Sequence, residues 1–185
     1  MQQKIVITGG PGTGKTTLIN ELKGVGFFCF NEIIREMTLE AKKMTKTNEF
    51  VSNPLTFVNN PDAFNLKILH GRINQYKKSE KIDNALAFFD RGIPDVLAYM
   101  DYFNQKYSDN FVKACKKHVY DKAFLLPPWE DIYISDNERL ESYEEAVLIH
   151  DHLENTYKRF GYNLIEVPVG KVADRIDFIL QNIKI

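Results

Sequence analysis

At 185 residues the chain has the length of one domain, and folding would bury about 70% of its extended surface, enough for a core without metal or disulfide staples. Hydrophobic residues at 44% and charged residues at 26% exclude disordered, collagenous and coiled-coil classes. The net charge of −1 excludes a general nucleic-acid binder, which carries a basic surplus.

No apolar run reaches the roughly 20 residues of a membrane helix. Met1-Gln2-Gln3-Lys4 runs straight into a β-type segment, without the pattern of a secretion signal. Cys29 and Cys115 have neither Cys-x-x-Cys spacing nor a Cys/His companion, so neither zinc nor a disulfide framework is expected. These features predict a cytoplasmic protein with reduced cysteines.

In chain order, Lys4–Thr8 is a short β-branched run that reads as a buried strand. Lys15–Lys23 is a helix with Leu18, Ile19 and Leu22 on one face, stopped by Gly24 and Gly26. Phe27–Phe30 is a second strand, followed by a helical stretch from Ile33 to about Lys43. Thr45–Asn60 has no period and reads as a loop. The next helix starts with Asn60 as cap, Pro61 in the first turn and Asp62 near its positive end, and its expected apolar line is Leu66, Leu69, Ile73 and Tyr76. Ala85–Phe89 is a third strand, ending in Asp90-Arg91-Gly92. Pro94–Tyr107 reads as a helix with Leu97, Met100 and Phe103 facing a core.

Ala123–Leu126 is the fourth strand, and a polar connector covers Asp131–Leu140. Ser142 and Glu145 form a capping box for a helix expected to bury Tyr143, Ala146, Val147, His150, Leu153 and Tyr157. Leu164–Val167 is the fifth strand, and Lys171–Ile183 is a closing helix. Strands alternate with helices and are continuously apolar, which predicts a single domain over residues 1–185 built on a parallel sheet covered on both faces.

Gly9-Gly10-Pro11-Gly12-Thr13-Gly14-Lys15-Thr16 fits G-x-x-x-x-G-K-[ST] between a strand and a helix. Glycines let successive backbone N–H groups converge on phosphate oxygens, and the following helix adds its positive end. Lys15 is expected to reach the β- and γ-phosphates and the Thr16 hydroxyl to ligate Mg²⁺; Thr17 closes the nucleotide-binding set. Asp90, ending an apolar strand on the same edge, is the second Mg²⁺ candidate, with helix capping as the alternative.

Only six of the chain's 24 cationic residues are arginines. Arg35, Arg91 and Arg139 each follow a strand and lie within reach of that edge; a planar guanidinium there bridges the equatorial oxygens of a transferring phosphoryl group. Arg139 is expected to act from a mobile connector, and Arg35 and Arg91 to contact phosphate or substrate. Glu32, after the second strand, either orients or deprotonates a substrate hydroxyl or caps the next helix. Trp129 either stacks on a ligand ring or packs.

Through Ile5–Thr17, Glu32–Glu36, Phe88–Ala98, Leu125–Arg139 and Val167–Phe178 the whole chain resembles one P-loop family. It is the AAA-like domain shared by bacterial ribosylnicotinamide-kinase regulators and the TRPL translocation defect GTP-binding proteins. The resemblance implies a three-layer α/β/α P-loop fold, a five-stranded parallel sheet in thymidylate-kinase-like order 2-3-1-4-5, and a lid over residues 130–141. Residues 45–81 would then form the acceptor region.

Two functions follow as expectations. One is a Mg-dependent kinase that moves the γ-phosphate of ATP to a nucleoside-like hydroxyl. The other is a nucleotide-dependent switch or slow NTPase acting through a partner. The absence of an Asn-Lys-x-Asp motif after the fourth strand argues against an ordinary regulatory GTPase and favours ATP, with GTP selection by another route left open.

Overall fold

The computed structural model describes residues 2–34, 61–133 and 141–183. The predicted helix beyond Ile34, the Thr45–Asn60 loop, the Asn60 cap, Arg35 and Arg139 lie outside them.

Strand β1 (Gln3–Gly9) leads through the glycine loop into α1 (Lys15–Gly24) and then β2 (Phe28–Phe30). Helix α2 (Pro61–Ser79), β3 (Leu86–Asp90), α3 (Ile93–Tyr102), α4 (Asp109–Lys117) and β4 (Lys122–Leu126) follow. A short 3₁₀ turn (Glu130–Ile132), α5 (Tyr143–Arg159), β5 (Leu164–Glu166) and α6 (Val172–Gln181) complete the described chain. All strand pairs are parallel, in the order β2-β3-β1-β4-β5. Both the parallel sheet and its order are as the sequence and its family resemblance implied.

The continuous apolar runs are explained by the two faces they serve. Ile5, Ile7, Phe88 and Phe124 point to the side where α1 and α6 bring Leu18, Leu22, Ile176 and Ile179. Val6, Ala87, Phe89 and Ala123 point to the other, against Tyr76, Tyr120 and Tyr157. With successive side chains alternating between faces, a strand covered on both sides has no polar position to offer. Helices α2, α3 and α4 share a further cluster through Phe64, Ile68, Leu97, Met100 and Phe111.

Register places Ile7 of β1 opposite both Asp90 and Phe124. The C-terminal ends of β1, β3 and β4 therefore open on one edge, the edge on which an α/β sheet presents its ligand site.

Several helix details differ from the sequence expectation. The predicted Pro94–Tyr107 helix stops at Tyr102, because Phe103 caps it and Asn104 adopts the left-handed region at φ 52°. A separate helix, α4, follows, and Phe103 is exposed. On α2 the buried face is Phe64, Asn65, Ile68, Leu69, Arg72, Gln75 and Tyr76, while Leu66 faces out; this helix spends part of its inner face on a polar site. On α5, Ile149 takes the core position expected of Val147, which is exposed, and His150 is half-buried. The Ser142–Glu145 capping box forms as read: Glu145 N donates to Ser142 Oγ at 3.2 Å and Ser142 N to Glu145 Oε2 at 2.7 Å. Among the described residues no helix is long and apolar enough to cross a membrane.

Candidate active site

The glycine loop is shaped by backbone conformation first. Gly12 and Gly14 adopt φ 74° and 82°, the left-handed region in which a side chain is penalised. Each is also closely covered. A Cβ on Gly12 would stand 2.5 Å from the Tyr133 ring, and one on Gly14 3.1 Å from the Arg175 guanidinium. On the remaining side a Cβ at Gly10 would meet the Ala146 carbonyl oxygen at 2.8 Å. The loop is thus hemmed in by α5, α6 and the segment after β4.

Within it, Thr13 Oγ1 donates to Gly10 O at 3.0 Å, and Lys15 Nζ donates to Gly10 O at 2.5 Å and to Thr13 Oγ1 at 3.2 Å. Lys15 is buried. Burial, and secondly Arg91, push its pKa down to about 7, against the opposing pull of Asp90, Glu32 and Asp95. Thr16 and Thr17 lie in the first turn of α1, beside Lys15 and facing less deeply inward.

Asp90 ends β3 and is buried. It is not the cap of α3. Gly92 holds that position, and Asp95 accepts from its backbone N–H at 2.9 Å. The ladder runs one residue further, with Arg91 N donating to Ile7 O at 3.0 Å. Arg91 then turns at φ 72°, an unusual conformation for a side-chain-bearing residue, and this turn sends its guanidinium into a buried ionic network.

Glu32 is the centre of that network. Arg91 Nε lies 2.6 Å from Glu32 Oε2, and Arg72 donates from NH2 to Glu32 Oε1 at 3.2 Å. Of the capping alternative for Glu32, the described residues show a long 3.5 Å bond from Ile34 N. Arg91 NH1 also reaches Asp95 Oδ1 at 3.2 Å, and Arg72 donates to the Gly92 carbonyl. Asp95 further accepts from Thr8 Oγ1 at 2.7 Å and Tyr157 OH at 2.6 Å. Burial alone would raise the Asp95 pKa, but Arg72, Arg91 and these two hydroxyls hold it below the usual carboxylate value. Burial likewise works against the Arg91 charge, which Tyr99, Glu32, Asp95 and Asp90 more than restore.

Lys15 and Arg91 therefore gather at one edge with Asp90 and Glu32, both cations within electrostatic reach of both carboxylates. The oxygen donors Thr16 and Asp90 are of the hard type that Mg²⁺ selects. Trp129 flanks the Arg175 guanidinium at 6.0 Å and donates its indole N–H to Asp131 at 3.1 Å.

Arg72, Asp95 and Arg175 were not singled out by the sequence reading. Their signal is positional: Arg72 lies on the helical line through Leu69 and Tyr76, Arg175 on the line through Val172 and Ile179, and Asp95 at the third helical position after Gly92.

A strand–loop–helix opening into a parallel sheet of this order is a P-loop α/β fold. The chain belongs to the AAA domain family, whose model matches residues 4–175. Among solved structures it is similar to deoxyadenosine kinase from M. mycoides with products dCMP and a flexible dCDP bound, at TM-score 0.65 and 20% identity over 97% of both chains. It is similar to the NadR protein in complex with NR, at TM-score 0.74 and 18% identity, covering 100% of this chain and 53% of that one. Thymidylate kinase from Candida albicans aligns at TM-score 0.64 and 15% identity, over 97% of this chain and 90% of that one. A comparison with curated proteins found no match.

Proposed function

We propose that the protein is a Mg-dependent kinase that transfers the γ-phosphate of ATP to a hydroxyl of a nucleoside-like acceptor. The observation that carries this reading is the buried Glu32–Arg91 pair, at 2.6 Å, on the same sheet edge as Lys15 of the glycine loop. A carboxylate for the acceptor hydroxyl and cations for the phosphoryl oxygens are the two things phosphoryl transfer asks of a protein. The similarity to a deoxyadenosine kinase whose structure holds dCMP, and to the NadR protein in complex with NR, supports a nucleoside-like acceptor.

In this reading the N–H groups of Gly9–Thr17, with Pro11 contributing only shape, cradle the phosphates while Lys15 meets the β- and γ-oxygens. Thr16 and Asp90 would hold Mg²⁺, which would offset the negative charge of the phosphates. Glu32 accepts the proton of the acceptor hydroxyl as its oxygen bonds to the γ-phosphorus and the bond to the β-phosphate oxygen breaks, releasing ADP. Arg91 steadies Glu32 and meets the developing phosphoryl charge. Arg35 is assigned to the acceptor and Arg139 to the lid over residues 130–141, with residues 45–81 forming the acceptor wall.

Purified protein with Mg-ATP, and in parallel Mg-GTP, is screened against nucleosides and vitamin-like hydroxyl compounds for ADP or GDP release, with Lys15→Ala as control. Acceptor-dependent release that the control loses is the expected result. Release at one rate with and without every acceptor would favour the slow NTPase or switch, and no release above the control would reject the kinase.

A further inference from the structure

Arg175 is almost fully buried, at 3% exposure, yet its guanidinium does not enter the ionic network around Glu32. Instead NH1 and NH2 both donate to one acceptor, the backbone oxygen of Thr13, each at 3.2 Å. Its Nε has no hydrogen-bond partner among the described residues. Long cationic side chains ordinarily keep their heads in water, so burying this one to hold a single loop carbonyl has a cost that packing alone does not explain. Trp129 walls the guanidinium on one side, and Gly14 lies against it on another, where a Cβ would stand 3.1 Å from NH1.

Resting on the nucleotide-binding reading above, we infer that Arg175 is a positioning residue for the phosphate loop. A trans peptide directs its C=O and N–H in opposite directions, and no cis bond occurs in the described chain. Anchoring the Thr13 oxygen toward α6 therefore turns the Gly14 N–H away from α6, the orientation an anion-binding loop requires. Gly14 can hold that peptide because φ 82° is open to it. Arg175 does this from the far end of the chain and needs no contact with nucleotide. It sets the loop's geometry before the ligand arrives, lowering the ordering cost of binding.

Two variants and two readouts test the inference. Arg175→Gln removes the charge, and Arg175→Lys keeps it with a single-point donor. Amide hydrogen exchange is followed without nucleotide in peptides covering residues 9–17 and in the β1, β3 and β4 core. Calorimetry then gives the Kd for Mg-ATP and for Mg-GTP. The expected result is faster exchange confined to the loop peptides in Arg175→Gln, about tenfold weaker Mg-ATP binding, and partial recovery of both in Arg175→Lys. Wild-type loop exchange and wild-type Kd in both variants would overturn it. If Arg175→Gln also loses core protection, Arg175→Lys decides, and loop exchange equal to wild type there overturns the inference. Should the wild-type protein bind neither Mg-ATP nor Mg-GTP, the nucleotide reading falls, and the exchange comparison still decides the positioning role.

Discussion

Lys15 shows at the scale of one residue what the packing of this edge imposes. Burial and the neighbouring Arg91 lower its pKa from 10.5 to about 7. Between those values the unfolded chain binds a proton that the folded chain releases, so stability rises with pH across the window and the charge is a full penalty below it. Lys15→Met keeps an unbranched side chain one atom shorter and removes that penalty. It is expected to exceed wild type in stability near about pH 6, with the gap closing as the pH rises through about 7 toward 10.5. Urea-unfolding midpoints measured across that range check it, and a gap independent of pH would refute it. Lys15 was legible in the sequence because a motif fixes it, and so was Glu32, because it closely follows a strand. Arg72 was not. In a linear pattern an arginine on an otherwise apolar helical line reads as an interruption, and only the fold shows that α2 turns this line toward Glu32.

At the scale of elements, Asp95 ties three of them together. It closes the first turn of α3, accepts from Thr8 of β1 and Tyr157 of α5, and pairs with Arg91 after β3. Asp95→Asn keeps the shape but leaves buried guanidinium charge short of a counterion, a loss of about 3–5 kcal/mol. Because the folded carboxyl titrates below 3.8, its contribution is complete above that pH and fades as the pH falls beneath it. Denaturant unfolding near neutral pH should show the deficit, and the deficit should shrink in acid; equal stability at neutral pH would sink the account. The strands were readable at this scale because double-sided burial leaves unbroken apolar runs, and α5 was readable from its capping box. Helix α4 was missed because Asn104 breaks the chain through a left-handed turn rather than through a glycine or proline. The misread faces of α2 and α5 share a cause. Apolar spacing alone cannot tell a core-facing leucine or valine from an exposed one when the true face carries polar residues, such as Arg72 and Gln75 on α2 or Thr156 on α5.

The whole molecule converges on the loop. Ala146 of α5, Tyr133 after β4 and Arg175 of α6 close on Gly10, Gly12 and Gly14, so segments drawn from distant parts of the chain share one small surface. The topology that achieves this follows from the order β2-β3-β1-β4-β5, which makes β1 central and puts the loop between two crossovers; an alternating pattern of strands and helices predicts such a sheet, but not which side chains its edges bring together. A ligand seated in that loop stabilises every element that borders it, because it binds the folded chain and not the unfolded one. If the proposed function holds, Mg-ATP at about one hundred times its Kd should contribute about 2.7 kcal/mol, which in a domain of this size would raise the unfolding midpoint by about 5–10 °C. Lys15→Met, deprived of the charge proposed to meet the phosphates, should show a much smaller rise at the same concentration. A scanning-calorimetry series with Mg-ATP tests both, and a wild-type midpoint that does not move would remove Mg-ATP binding from this protein whatever its fold.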